Sequence, residues 1–267
     1  MRAALLINLG SPASPNTRDV REYLDEFLMD PHVMGLPYPL RALLVRGIIC
    51  NTRPARSAHA YRSIWRPEGS PLILLSEELH GAVAGLTDVP VRMAMRYGQP
   101  SIGSVIEELV DDGVRELFVV PLYPQYAAST RQTVMDEVRR VVRELPEGHE
   151  VTIVERLPWF DDPEYLDLLA GSIGRQLDGL EFDRLLLSFH GVPERHIRKA
   201  DPSGGHRAWR GGPGTEQCCS HDDPGFNTCY RSQCLVTAHE VAEPVVSTGR
   251  RTGSSSVSSM RNPLDLS

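Results

Sequence analysis

The sequence predicts an α/β fold of two doubly wound parallel-sheet domains, the second cut short. Three observations predict it. Short, near-continuous apolar runs alternate with segments of helical periodicity along most of the 267 residues, as expected of strands buried on both faces and joined by crossover helices. Most apolar runs close on Gly, Pro or Ser, where a strand gives way to a turn. From Glu243 onward the periodicity stops: seven of the last 25 residues are serine, and no apolar stripe remains to cover a sheet.

The first strand is "AALLINL" (3–9), closed by Gly10, Ser11 and Pro12. A helix follows over 17–30, because Val20, Leu24, Phe27 and Leu28 share one stripe at helical spacing. "VRMAMRYG" (91–98) is the next strand, and Ile102, Val105, Ile106 and Leu109 mark a helix that Gly113 ends. "ELFVVPLYP" (116–124) leads into a helix carrying Val134, Val138, Val141, Val142 and Leu145. "EVTIVERL" (150–157) leads into another with Leu166, Leu169, Ile173 and Leu177, and a strand over 184–189 then opens a second sheet. A Gly-rich loop and one helix, "YRSQCLVTAHEVAE" (230–243), follow. These readings divide the chain into an N-terminal domain over 1–161, a partial second domain over 162–242 holding a histidine and a Cys-rich loop, and a disordered Ser-rich tail over 243–267.

Composition excludes several classes of function. Acidic residues outnumber basic ones 35 to 28, for a net charge of −7, which disfavours a phosphate-binding face for nucleic acid. No apolar run reaches the roughly 20 residues that cross a bilayer, and no cleavable leader is evident, so the expected address is cytoplasmic. Lys199 is the single lysine among the basic residues. Four of the five cysteines fall between 218 and 234, too clustered to staple a fold of this size, and in a reducing compartment they point to a metal. Cys50 lies alone in an apolar run and reads as core.

"LLLSFHG" ends a buried-strand run in Phe189, His190 and Gly191. A core histidine, a metal ligand and a general base all fit it. Position favours function, because ligands of open parallel sheets bind at the carboxyl ends of strands. "NLGSP", "RYG" and "LYPQYAAST" end strands as well, so Asn8, Arg96, Tyr97, Tyr123, Tyr126, Ser129 and Thr130 are expected to converge on one crevice with His190. Tyrosine-rich walls with few polar groups suit a flat, largely apolar ligand with polar edges. Neither G-x-G-x-x-G nor G-x-x-x-x-G-K-[ST] accompanies a strand, which disfavours a nucleotide.

Five ordered segments, "LLINLGSP" (5–12), "YRSIWRPEGSPL" (61–72), "MRYGQPSI" (95–102), "LYPQYAAST" (122–130) and "LLLSFHGVPERH" (185–196), resemble the ferrochelatase family. The resemblance runs over about residues 3–242. It implies chelatase-type, Rossmann-like domains and insertion of Fe2+ into a porphyrin to give haem. Its partners are then the porphyrin and ferrous iron, with no nucleic acid and no transmembrane segment, and with peripheral membrane contact left open. Insertion requires two pyrrole N–H protons to leave while the metal sheds water, and an imidazole can serve as ligand or base. The resemblance gives that role to His190 and assigns porphyrin binding to Leu9, Tyr61, Ser70, Arg96, Tyr97, Tyr123 and Ser129. Leucine at position 9 resembles the protoporphyrin-using branch.

Some bacterial members carry a [2Fe–2S] cluster in the same loop, which implies Cys218, Cys219, Cys229 and Cys234 as its ligands. Zinc or four free thiols are the alternatives. The family's later "SFQSR"-like and "CPGF"-like strands, with the glutamate that partners the histidine, have no counterpart here. After "CLVTAHEVAE" the change in pattern resembles a frameshift or premature stop, and a chain of this form is expected to be inactive. Two further readings stay open: a porphyrin- or metal-binding protein without catalysis, and a cobalt or nickel chelatase of a related tetrapyrrole.

Overall fold

Four strands form one parallel sheet in the computed structural model, which describes residues 1–180, 182, 184–202 and 224–248. They are β1 (Arg2–Asn8), β2 (Val91–Met95), β3 (Glu116–Pro121) and β4 (Thr152–Glu155), in the order β2-β1-β3-β4. β1 is central, pairing from Ala4↔Val91 to Asn8↔Met95 on one side and from Arg2↔Glu116 to Ile7↔Pro121 on the other. A strand flanked on both sides has no solvated edge, which is why "AALLINL" carries almost no polar residue.

Between β1 and β2 the chain forms α1 (Thr17–Leu28), α2 (Tyr38–Ala42), a π-helical stretch (Leu43–Ile49), α3 (Cys50–Thr52), α4 (Pro54–Ile64) and α5 (Pro71–Ala84). α6 (Ile102–Asp111) joins β2 to β3, and a π-helical turn (Ala128–Gln132) with α7 (Thr133–Glu144) joins β3 to β4. Asn16 caps α1 by accepting from the Asp19 amide at 2.8 Å, and Ser101 caps α6 by accepting from Ser104 at 3.1 Å. Gly113, at φ +88°, ends α6 as its position predicts. Ala3, Leu5 and Ile7 stand on one sheet face beside Leu117 and Val119 and pack with the predicted stripes Ile102, Val105, Ile106, Leu109 and Val134, Val138, Val141. Burying each of these larger aliphatic side chains contributes on the order of 2 kcal/mol. A second cluster joins Val20, Leu24, Leu28, Val45, Cys50 and Ala58, so Cys50 is a core residue as read from the sequence.

By contacts the chain divides into two units. One is Met1–Tyr123 with Ala128–Leu157, and the other is Pro124–Ala127 with the described residues from Pro158 onward. The second unit contains α8 (Pro163–Leu177), α9 (Glu194–Ala200) and α10 (Tyr230–Thr248). Ala170, Val241 and Val245 form its small core, with the predicted α8 residues Leu166, Leu169, Ile173 and Leu177 packed against it.

Two expectations are corrected here. Residues 184–189 do not form a strand: the segment is irregular, Leu185, Leu187 and Phe189 are half-buried, and Leu186 is 78% exposed. A strand exists only as a hydrogen-bonded pair, and among the described residues every strand belongs to the one sheet of the first unit. The tail proposed over 243–267 begins inside α10, because the i, i+4 pair Val241 and Val245 keeps residues 243–248 helical against Ala170. The rest of that segment, 249–267, lies outside the described residues.

Candidate functional site

At the carboxyl end of the sheet the backbones of β1 and β2 continue to pair past their last residues. The Arg96 amide donates to the Asn8 carbonyl at 2.8 Å and the Tyr97 amide to the Leu9 carbonyl at 2.9 Å. "NLG" and "RYG" are thereby held side by side. Gly10 makes this approach sterically feasible, since at φ +101° a Cβ would lie 1.7 Å from the Tyr97 carbonyl oxygen. Asn8 turns its amide to the Ser76 hydroxyl at 3.0 Å and its carbonyl oxygen to the Leu9 amide at 2.8 Å.

Aromatic side chains from α1 and α4 continue this wall. The Tyr97 ring meets Phe27 edge-on with centroids 5.2 Å apart and Tyr23 at 6.4 Å. Tyr23 in turn meets Tyr61 at 6.4 Å, and Tyr61 meets Trp65 at 6.2 Å. The Tyr23 hydroxyl donates to the Gly10 carbonyl at 3.3 Å. Burial pushes the phenol pKa values of Tyr23, Tyr61, Tyr97 and Tyr123 upward, so all four stay neutral at physiological pH. The Tyr123 hydroxyl lies within electrostatic reach of Tyr97 and Tyr23, and it is buried with no hydrogen-bond partner among the described residues.

Behind the wall lies a buried carboxylate that sequence reasoning missed. Asp30, just past α1, has a side chain 2% exposed. Its Oδ2 accepts from Arg96 Nη2 at 2.6 Å, from the Tyr97 hydroxyl at 3.0 Å and from the Thr133 hydroxyl, and its Oδ1 accepts from the His32 amide at 2.6 Å. Burial works to raise the Asp30 pKa, but hydrogen bonds from Thr133 and His32, the Arg96 charge and the Tyr97 hydroxyl outweigh it and hold the carboxyl below its ordinary value. Arg96 Nε donates to the Thr133 hydroxyl at 2.7 Å, and its guanidinium lies 4.5 Å from the Tyr97 ring centroid. The sequence signal was faint: an aspartate at a helix end, "MDPHV", is usually a solvated turn residue.

The remaining candidates are distributed as follows. Leu9, Tyr61, Arg96 and Tyr97 are brought together with Tyr123 close by, whereas Ser70, 7% exposed, occupies the N-cap of α5, and Ser129 is half-buried in the π-helical turn. Tyr126 belongs to the second unit, where its amide donates to Gln233 Oε1 at 2.6 Å. His190 is also in the second unit, exposed on the irregular segment that was expected to be a strand. Cys229 and Cys234 are buried at the start of α10, and Cys218 and Cys219 lie outside the described residues. The Cys229 sulfur accepts from the Ser232 amide at 3.4 Å, and burial pushes the Cys234 thiol up to about 11. Among the described residues no group of three or more metal-ligating side chains gathers, and no helix is long and apolar enough to cross a membrane.

The first-unit cluster is thus aromatic, with Tyr97 and Tyr23 buried at 0% and 7% exposure, the half-buried Phe27 and Tyr61 forming its accessible side, and the Arg96 cation held in a fixed orientation. Such a surface suits a planar apolar ligand with a polar edge. Comparison with known proteins agrees with this chemistry. The ferrochelatase family model matches residues 1–257. A ferrochelatase of Azotobacter vinelandii is 53% identical over 242 residues, covering 90% of this chain and 69% of that protein. Ferrochelatases of Stutzerimonas stutzeri and Ectopseudomonas mendocina are each 50% identical over 243 residues, covering 90% of this chain and 69% and 68% of those proteins. With half the residues shared along nine-tenths of its length, the chain belongs to the ferrochelatase family.

Proposed function

We propose that this protein is a lyase that inserts Fe2+ into a porphyrin, protoporphyrin IX in the first instance, to give haem with release of two protons. The observation that carries the proposal is the aromatic wall built from Tyr23, Phe27, Tyr61 and Tyr97 around the paired "NLG" and "RYG" segments, in a chain of this family. A macrocycle laid on the half-buried Phe27 and Tyr61, which the buried Tyr23 and Tyr97 back from behind, exchanges water for apolar contact without ordering new side chains. Leu9, Tyr61, Ser70, Arg96, Tyr97, Tyr123 and Ser129 are the residues proposed to bind it. His190 is proposed to meet the metal and to take pyrrole protons; an exposed imidazole can pass them on to solvent.

Two readouts test this. A shift of the Soret band reports porphyrin binding, and metal-dependent loss of free-porphyrin fluorescence reports insertion. In a form of the protein that turns over, His190→Ala should abolish insertion while leaving porphyrin affinity within a few-fold, because its role is chemical rather than adhesive. Near-normal turnover by the variant would remove His190 from the mechanism, and binding without insertion in the parent chain would favour a porphyrin-binding protein instead.

A [2Fe–2S] cluster on Cys218, Cys219, Cys229 and Cys234 is the finer proposal for the cysteines. Of the two described ones, Cys229 supports the reading, since its buried sulfur already accepts a backbone N–H as ligand thiolates do, whereas the burial that raises the Cys234 thiol works against its thiolate form. When bound, the cluster would supply redox-sensitive cross-linking of the loop to α10. Protein purified without oxygen should be reddish-brown with roughly two irons and two acid-labile sulfides per chain. Zinc without labile sulfide would exclude the cluster.

A further inference from the structure

We propose that Asp30 is a positioning residue of the porphyrin site, its buried carboxylate fixing the Arg96 guanidinium so that Nη1 is the donor left for a carboxylate of the ligand. The inference rests on the reading of Arg96 as a porphyrin-binding residue. Of the three nitrogens of Arg96, Nε is taken by the Thr133 hydroxyl at 2.7 Å and its carbonyl at 3.2 Å, and Nη2 by Asp30 at 2.6 Å. Nη1 makes no hydrogen bond to a described residue, and the side chain keeps 16% of its surface exposed. Thr133 closes the arrangement, accepting from Arg96 and donating to the same Asp30 oxygen. The Tyr97 hydroxyl binds that oxygen too, so one carboxylate sets both residues of the "RY" pair. An arginine tied along one edge cannot swing, and a planar guanidinium held this way presents its remaining donors in one direction. A residue needed only for packing would not require a charge here, because burying a carboxylate is costly unless its donors are all supplied.

The test compares protoporphyrin IX with its dimethyl ester, which has the same ring and no carboxylates. Binding to the full chain is followed by the Soret shift for the parent, Asp30→Asn, Arg96→Gln and the double variant. Asp30→Asn should weaken protoporphyrin binding by about tenfold, the worth of one charge-assisted hydrogen bond, and leave the ester within about twofold of its parent value. Arg96→Gln should do the same, and the double variant should be no worse than Arg96→Gln alone, since Asp30 acts through Arg96. Equal weakening toward both ligands would reduce Asp30 to a structural role and overturn the proposal, as would multiplicative effects in the double variant. If Arg96→Gln binds both ligands normally, the reading of Arg96 itself fails; if it is impaired while Asp30→Asn is not, the role of Asp30 alone fails. Should Asp30→Asn not fold, Thr133→Val loosens the same guanidinium through Nε and should show a smaller loss, about threefold, again for the free acid only; no difference between the two ligands would count against the proposal.

Discussion

The Arg96 side chain owes its fixed orientation to a carboxylate 66 residues away in sequence and a threonine 37 residues away, and that carboxylate contributes to the pH dependence of the first unit's stability. Asp30 has a folded pKa below its unfolded one. Its contribution to stability is therefore fully present above the unfolded pKa and is lost as pH falls through the folded value. Asp30→Asn should cost about 2 kcal/mol at neutral pH, in the range of hydrogen bonds to a charged group, and the difference from the parent should shrink as the solution is acidified. Urea unfolding at a series of pH values checks this, and a gap that is constant with pH would mean that the carboxylate charge contributes nothing. The same scale separates what the sequence disclosed from what it withheld. Gly10 was legible as the end of the first strand run, and the structure gives it and Gly98 positive φ. Asp30 was not legible, because its meaning depends on Arg96, Tyr97 and Thr133, which no local pattern connects to it.

Among the elements, those defined by local periodicity were legible and those defined by a distant partner were not. The buried stripes of α6 and α7 follow directly from helical spacing. Residues 184–189 have the composition of a buried strand, yet pairing is a property of two segments, and the described part of the second unit supplies no partner. α10 runs past Glu243 despite Pro244 because Val245 is held at 4% exposure against α8. That helix also fixes the "PQY" segment: Gln233, fully buried, accepts from the Tyr126 amide at 2.6 Å and donates to the Phe226 carbonyl at 3.0 Å, while Thr237 accepts from Gln125 at 3.1 Å. Gln233→Leu keeps the volume and removes the acceptor of the Tyr126 amide, a loss worth about 1–3 kcal/mol in the interior, while the Phe226 carbonyl still accepts from the Cys229 amide at 3.2 Å. Hydrogen exchange should show the Tyr126 amide losing most of its protection while β1 amides keep theirs. Unchanged protection at Tyr126 would show that the glutamine is incidental.

On the scale of the whole molecule, the two sheet faces are treated unequally. One is sealed by α6 and α7. On the other, Phe118 and Val154 sit directly beside each other in the β3–β4 register and are each 41% exposed, with Ala4 next in line across β1. A shallow groove of about 250 Å³ continues this strip between Phe118, Ala4, Val91, Val83 and Val89, and Leu86 nearby is 87% exposed. Contiguous apolar surface of this kind favours association over solvation, and the net charge of −7 opposes it only weakly at physiological salt, where screening acts over about 8 Å. The 267-residue chain should therefore self-associate as its concentration rises, with added salt strengthening the effect. Replacing both residues, Phe118→Thr with Val154→Thr, keeps side chains suited to a strand and removes most of the strip. The association constant measured by sedimentation should then fall by about tenfold, which corresponds to the loss of roughly 1.4 kcal/mol of apolar burial. An unchanged constant would place the association on a different surface and leave the exposed sheet face without a role in it.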